Sequence, residues 1–415
     1  MNISIRSEIG PLKGVILHTP GREVENMTPE NATRALYSDI LNLSVAGREY
    51  AQFRGVLEKL AHTYQVEDLL ADILARENIR EELIGKICYF ENRPDVQEYL
   101  MNISPQQAAR QLIQGVVEEK DTLSKYLSKE RYSLRPLHNF FFTRDAAMII
   151  LDKVLIGRMA NKIRERESFI MESVLHYHEM FKAATVNPLQ KNYVNSGATL
   201  EGGDLLVARD DIWILGLGSR TNSQGIDFII EHFMDQGVTK RHLIVQELPH
   251  EPESFIHLDM VFSLLDKDEC MVYAPLIIKN NRYQTLHITV EQGAVIRIEE
   301  TENILTVLDK LGMPLKPILC GGHKDHWIQE REQWHSGANL FAVGPGKVLG
   351  YARNVYTLEA LSKNGYEILR AKDVIQGKSD PGAYGKYVIG LDGSELPRGG
   401  GGARCMTLPV CRDDL

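Results

Sequence analysis

The sequence predicts an α/β protein built as a closed ring, or propeller, of repeated strand–strand–helix units, with a helical segment inserted near its start. Two observations predict it. Short apolar strands come in adjacent pairs, each pair followed by a helix, and such units recur about every 50–70 residues. Strands that alternated singly with helices would instead give an open parallel sheet. Finally, residues 70–132 break the rhythm with a stretch rich in Glu, Lys, Gln, Leu and Ile.

Residues 12–19, LKGVILHT, read as a strand that Pro20-Gly21 ends. Over 45–65, Tyr50, Phe53, Val56, Leu57, Leu60 and Tyr64 recur near helical spacing. The stretch from 70 to 132 predicts three to five helices. One starts at Ser104-Pro105, where Ser caps and Pro fits the first turn. This places an inserted helical domain at 71–132 and an α/β body at 1–70 and 133–415. The body continues with the pairs AAMIILD/VLIGRMA and DLLVARD/IWILGLG, a helix at 223–236 and the strand HLIVQEL. MVYAPLII, a helix at 302–311, NLFAVGPGKVLGYA and a helix at 356–364 follow.

A chain of 415 residues has room for two or three domains, or for one large repetitive one. Its net charge of −9 and lack of a long basic block argue against general nucleic-acid binding. The five cysteines (Cys88, Cys270, Cys320, Cys405, Cys411) are scattered and form no CxxC, which fits a reducing compartment. The N-terminus lacks the build of a signal peptide, and no apolar run reaches membrane-spanning length. A cytoplasmic protein without membrane or nucleic-acid partners is expected.

Chemistry concentrates in a few short stretches. Arg398-Gly-Gly-Gly-Gly-Ala-Arg404-Cys405 sets one thiol at the end of a glycine run between two arginines, whose charge favours the thiolate. Phe140-Phe-Phe142-Thr-Arg144-Asp145 ends an aromatic run in two charges. Glu201-Gly-Gly-Asp204 brackets a turn with carboxylates, and Phe255-Ile-His257-Leu-Asp259 reads as a strand with His257 and Asp259 on one face. Arg331-Glu-Gln-Trp334-His-Ser-Gly-Ala-Asn339 leads into another strand. Each has a structural alternative: an Arg144–Asp145 pair, a solvated turn, a hydrogen-bonded strand histidine. Together they supply a nucleophile, a proton carrier and carboxylates for a cationic substrate.

Neither His176-Tyr-His178-Glu179 nor His323-Lys-Asp325-His326 has zinc-ligand spacing, and Gly216-Leu-Gly218 lacks the third glycine of a dinucleotide loop. No metal and no cofactor are expected.

In this order the motifs resemble the arginine deiminase family of the guanidino-group-modifying (pentein) superfamily: Ser7-Glu8-Ile9-Gly10-x-Leu12-Lys13, FTRD at 142–145, EGGD at 201–204, HLD at 257–259, REQW…GAN at 331–339 and RCMT at 404–407. The resemblance spans nearly the whole chain. It implies a five-bladed, pseudo-fivefold α/β propeller with an inserted helical bundle, assembled as a homo-oligomer. It implies Cys405 as nucleophile and His257 as acid, then base. Glu201 would orient His257, and Asp145 and Asp259 would grip the guanidinium. Arg164 and Arg220, 19 residues after Asp145 and Glu201, match the family's arginines for the substrate α-carboxylate. Asn139, Phe142 and Leu36 match substrate-lining positions. The implied reaction is hydrolysis of L-arginine to L-citrulline and ammonia through an S-alkylthiouronium intermediate.

The family pattern has an arginine five residues before the cysteine, beside the substrate; here that position is Gly400. Position 138, usually Pro, is His138, and the Phe-Asp-Asp near residue 38 is Tyr37-Ser38-Asp39. A related pentein hydrolase or amidinotransferase acting on another guanidino or ureido substrate is therefore the alternative, with a non-catalytic binding relative beyond it. Buried carboxylates without a ligand are costly, so an open or water-filled site is expected in the free protein.

Overall fold

The computed structural model describes residues 3–28, 39–189, 197–234, 239–323 and 325–415. Its strands assort into five sheets of three to five strands and one two-stranded hairpin. Each of the five sheets holds an antiparallel pair joined in parallel by a further strand. Ala147–Ile150 and Lys153–Ile156 are joined by Thr185–Val186. Leu205–Arg209 and Ile212–Leu217 take Lys240–Glu247, and Phe262–Leu264 and Glu269–Val272 take Lys316–Leu319. Phe341–Gly344 and Lys347–Tyr351 take Tyr387–Leu391. In the remaining sheet Leu12–Leu17 pairs antiparallel with Leu408–Arg412 and parallel with His62–Gln65. Helices Leu43–Leu60, Glu165–Tyr177, Ser223–Phe233, Ile304–Lys310 and Val355–Lys363 lie in the connections to the parallel strands. The recurrence read from sequence is thus the recurrence of the fold.

Several local expectations shift. The helix read over 45–65 runs from Leu43 to Leu60, capped by the Asn42 side chain on the Val45 N–H, and 62–65 is a strand. Tyr64 keeps its helical spacing in the sequence, but four residues register against Leu12–Leu17, so pairing overrides local pattern. MVYAPLII is a strand to Val272 and then a short helix, Ala274–Ile277, because Pro275 cannot donate to a ladder but fits a first turn. Residues 255–259 link two 3₁₀ turns, Glu253–Phe255 and Leu258–Met260, rather than forming a strand. There the Leu258 N–H donates to Asp204 Oδ1 at 2.9 Å. The hairpin Thr285–Glu291/Ala294–Thr301, which widens the second of the large sheets, was not expected.

Between 66 and 127 lie the helices Val66–Leu74, Glu77–Phe90, Gln97–Asn102, Pro105–Gln114 and Leu123–Leu127. Ser104 and Gln107 close a reciprocal capping box at the fourth, as Ser104-Pro105 predicts. Leu70, Leu83, Ile84 and Leu112 share one apolar cluster with Ile149, Leu155 and Phe169 of the neighbouring sheet and helix. No helix among the described residues is long and apolar enough to cross a membrane.

Candidate active site

Cys405 sits in a turn between the glycine loop and the strand Leu408–Arg412, which its pairing with Leu12–Leu17 holds in place. The loop packs too closely for side chains. A Cβ on Gly401 would lie 2.5 Å from the Phe142 ring, and one on Gly402 would lie 2.6 Å from Asn339 Oδ1. Gly400 differs: it adopts φ +85°, and a Cβ there would meet open space. Upstream, Glu49 accepts from the Ser394, Glu395 and Leu396 N–H groups, which anchors the base of the loop to the helix Leu43–Leu60.

Four separated stretches converge on the thiol. Cys405 Sγ lies 3.7 Å from Asp259 Oδ2 and 3.1 Å from Asn339 Nδ2. His257 Nε2 and Glu201 Oε2 are hydrogen-bonded at 3.0 Å, and His257 Nδ1 faces Asp145 Oδ1 at 3.8 Å. Both of those facing atoms are buried and lack a hydrogen-bond partner among the described residues. Gly202-Gly203 is required by this convergence, since a Cβ on Gly203 would lie 2.4 Å from the His257 ring.

The five side chains that converge here are buried. Cys405, His257, Glu201, Asp145 and Asp259 are all 3% exposed or less. Burial is tolerated because each carboxylate has a fixed cationic partner. Arg164 Nη1 donates to Asp145 Oδ2 at 2.8 Å, and Arg404 Nη1 donates to Asp259 Oδ2 at 2.8 Å. Glu201 has His257, with Arg220 Nη1 at 3.8 Å. Arg144 turns away from Asp145 and donates to Thr407 Oγ1, so those neighbours are not a pair.

Charge follows from this arrangement. Burial opposes a charge on His257, but Asp145, the Glu201 hydrogen bond and Asp204 outweigh it and raise its pKa to about 9. Burial likewise opposes ionisation of Glu201, yet His257 and Arg220 bring it down to about 2. An imidazolium–carboxylate pair results at neutral pH. Burial, Asp259 and Asp145 push the Cys405 thiol well above its ordinary value. The flanking arginines do not reverse this. Arg404 is consumed by Glu8, Asp259 and the Leu205 carbonyl, and Arg398 by Asp39 and Glu395.

Of the other expected residues, Arg220 lines a cavity of about 270 Å³ with Gly399, Gly400, Arg398, Trp334 and Met260. Arg164 is buried instead, with Nε and Nη2 on the Glu167 carboxylate at 3.1 and 2.8 Å besides its bond to Asp145. Phe142 forms the floor under the glycine loop, Asn139 is buried in the turn before it, and Leu36 lies outside the described residues. Sequence reading gave no role to Asn339 and Glu8, which help to build the site, and gave Arg404 only that of favouring the thiolate. Asn339 Oδ1 accepts from the Arg404 and Cys405 N–H groups while its Nδ2 approaches the thiol. All three stood inside quoted motifs, but only the fold shows what they touch.

Asp145, Glu201 and His257 bring ligand atoms within 4.8 Å of one another, a donor set that could hold a divalent ion. The Arg164 guanidinium and the imidazolium proton of His257 oppose a second cation there.

The arginine deiminase family model matches residues 34–412. The chain is 31% identical to arginine deiminase of Oenococcus oeni, covering all of this chain and 98% of that protein. It is equally similar to the arginine deiminase of Staphylococcus haemolyticus, covering 99% of it. Among solved structures it resembles the N-terminal domain of ArgZ, a cyanobacterial arginine dihydrolase (TM-score 0.53, 13% identity, 96% of this chain and 97% of that one). It also resembles the amidinotransferase SxtG of Microseira wollei (TM-score 0.56, 13% identity, 100% and 98%). With a family match over residues 34–412 and relatives 31% identical over its whole length, the chain belongs to the arginine deiminase family.

Proposed function

We propose that the protein hydrolyses L-arginine to L-citrulline and ammonia, with Cys405 as the nucleophile. The observation that carries this reading is the pair of unpartnered atoms, Asp145 Oδ1 and His257 Nδ1, buried beside a thiol and the Asp259 carboxylate. A planar guanidinium offers N–H donors to Asp145 and Asp259 and sets its carbon before the sulfur. Its charge offsets the carboxylates that keep the thiol neutral, so the thiolate forms on binding and its proton leaves to solvent. Sulfur attacks the guanidinium carbon, and the His257 imidazolium protonates the departing nitrogen, releasing ammonia. The neutral imidazole then takes a proton from water, whose oxygen attacks the S-alkylthiouronium carbon. Collapse breaks the C–S bond, the hydroxyl proton passes to the departing sulfur, and citrulline and the free thiol result. Glu201 holds the His257 ring in place throughout. Arg220 meets the α-carboxylate from the cavity wall, and Arg164 joins it only by exchanging Glu167 for the ligand; Asn139 and Phe142 shape the remaining wall. No step calls for a metal or cofactor.

The five sheets are read as blades of a pseudo-fivefold propeller, 1–70 and 133–415, with 71–132 as the helical insert. Five cysteines outside any disulfide support a cytoplasmic setting, and a homo-oligomer is the expected assembly. The open space at Gly400 favours one second reading, a bulkier guanidino substrate for the same chemistry. Ammonia and citrulline release from arginine, agmatine and methylated arginines tests both. Turnover of another guanidino compound without any from arginine refutes the first. A substrate-derived adduct should map by mass spectrometry to Cys405, and full activity in Cys405→Ala rejects the covalent route.

A further inference from the structure

An α-carboxylate has two oxygens and is best held by guanidinium forks. Arg220 supplies one at the cavity wall. Arg164 is committed on both edges to Asp145 and Glu167, with its side chain and both partners buried. Giving up such a pair is far costlier than exchanging an exposed one. Position 400, where the family pattern has arginine, is glycine facing open space.

Two residues earlier the same loop carries Arg398, which lines the cavity with Arg220. Its guanidinium donates through Nε to Asp39 Oδ2 at 2.9 Å and through Nη1 to Glu395 Oε2 at 3.0 Å. Unlike Arg164, its side chain is 39% exposed, and that of Asp39 is 50% exposed. This is an ion pair on the cavity rim that a ligand can open without stranding a buried charge.

We infer that Arg398 is a specificity-determining residue: with Arg220 it receives the substrate α-carboxylate, supplying the cation that position 400 lacks. The inference rests on the guanidino-substrate reading above. The exchange conserves charge. A free amino acid brings one carboxylate and one ammonium, so Arg398 trades Asp39 for the carboxylate and the Asp39 carboxylate becomes available to the ammonium. Glu253, on the same cavity wall, offers a second carboxylate to that ammonium. The site thereby selects free α-amino acids over guanidines that lack the carboxylate.

The test measures binding by calorimetry in a Cys405→Ala background, comparing L-arginine with argininamide, which keeps the guanidinium and ammonium but has no carboxylate charge. Arg398→Ala should weaken arginine about 10- to 100-fold, the range for charged hydrogen bonds, and leave argininamide within about threefold. Equal loss for both ligands would make Arg398 a structural support of the loop, and no loss for either would remove it from the site; both outcomes overturn the inference. Should argininamide bind too weakly to compare, Gly400→Arg added to Arg398→Ala decides. Recovered arginine affinity supports a carboxylate role, and no recovery overturns it. Arginine failing to bind the Cys405→Ala parent would instead reject the substrate reading, before any change at 398.

Discussion

Replacing Glu201 by Gln removes a negative charge from beside His257 while keeping the side chain's size and an acceptor for the Ala160 N–H, which donates to Oε1 at 3.0 Å. The rise of His257 from 6.5 to about 9 is worth about 3 kcal/mol in favour of the imidazolium. Burial works against that charge, and Asp145, Glu201 and Asp204 together overcome it. Taking away one of three carboxylates should lower the titration midpoint by about one to two pH units. At pH 8.5 the wild-type ring is mostly protonated, whereas the variant's is mostly neutral. The proposed general acid is then missing, and kcat/KM for ammonia release should fall about tenfold there while staying within a fewfold at pH 6. Ammonia release measured from pH 5 to 9.5 gives the basic limb, and NMR of isotope-labelled imidazole gives the His257 midpoint directly. An unmoved basic limb together with an unmoved midpoint would refute the role given to Glu201.

Four further outcomes are expected. Gly203→Ala puts a methyl where the His257 ring lies, so turnover should drop at least 100-fold with a normal circular dichroism spectrum; wild-type activity would mean the ring is free to shift. Asn339→Ala orphans the Arg404 and Cys405 N–H groups and should cost about 1–3 kcal/mol of stability by urea unfolding, with kcat falling more than KM changes. Arg404→Met strands the buried Glu8 and Asp259 carboxylates, so a loss of about 3–5 kcal/mol is expected, and a loss below 1 kcal/mol would contradict the pairing. His257 has a raised folded-state pKa, so its contribution to stability is full below about pH 6.5 and is lost as pH rises through about 9. Wild type should therefore lose about 3 kcal/mol more than His257→Gln between pH 6 and 9.5 in urea titrations.

Much of this was legible in the chain. Paired strands announce themselves by adjacency, and the recurring unit needs no long-range information. The residues that converge were legible because Cys405, His257, Asp259, Asp145 and Glu201 stand in short polar breaks within apolar surroundings. What escaped depends on contacts distant in sequence. His62–Gln65 is a strand only because Leu12–Leu17 lies beside it. The electrostatics of the thiol could not be read from two neighbouring arginines, since Arg404 spends its charge on Glu8 and Asp259. Arg164 matched by spacing, yet spacing says nothing of Glu167, which occupies the edge of the guanidinium that a ligand would need. The depth at which these carboxylates are buried could not be read either, because the cations that make it tolerable come from other parts of the chain.

The Arg404–Glu8 pair joins residues 396 positions apart, and Cys405, the proposed nucleophile, is the very next residue. Contacts of such separation form late, once the intervening chain has compacted. The thiol thus reaches its working position only when strand Leu408–Arg412 has docked beside Leu12–Leu17 and the two ends of the fold are fastened together. In a refolding time course, catalytic activity would then act as a clock for completion of the whole molecule, lagging behind the appearance of sheet and helix rather than accompanying it.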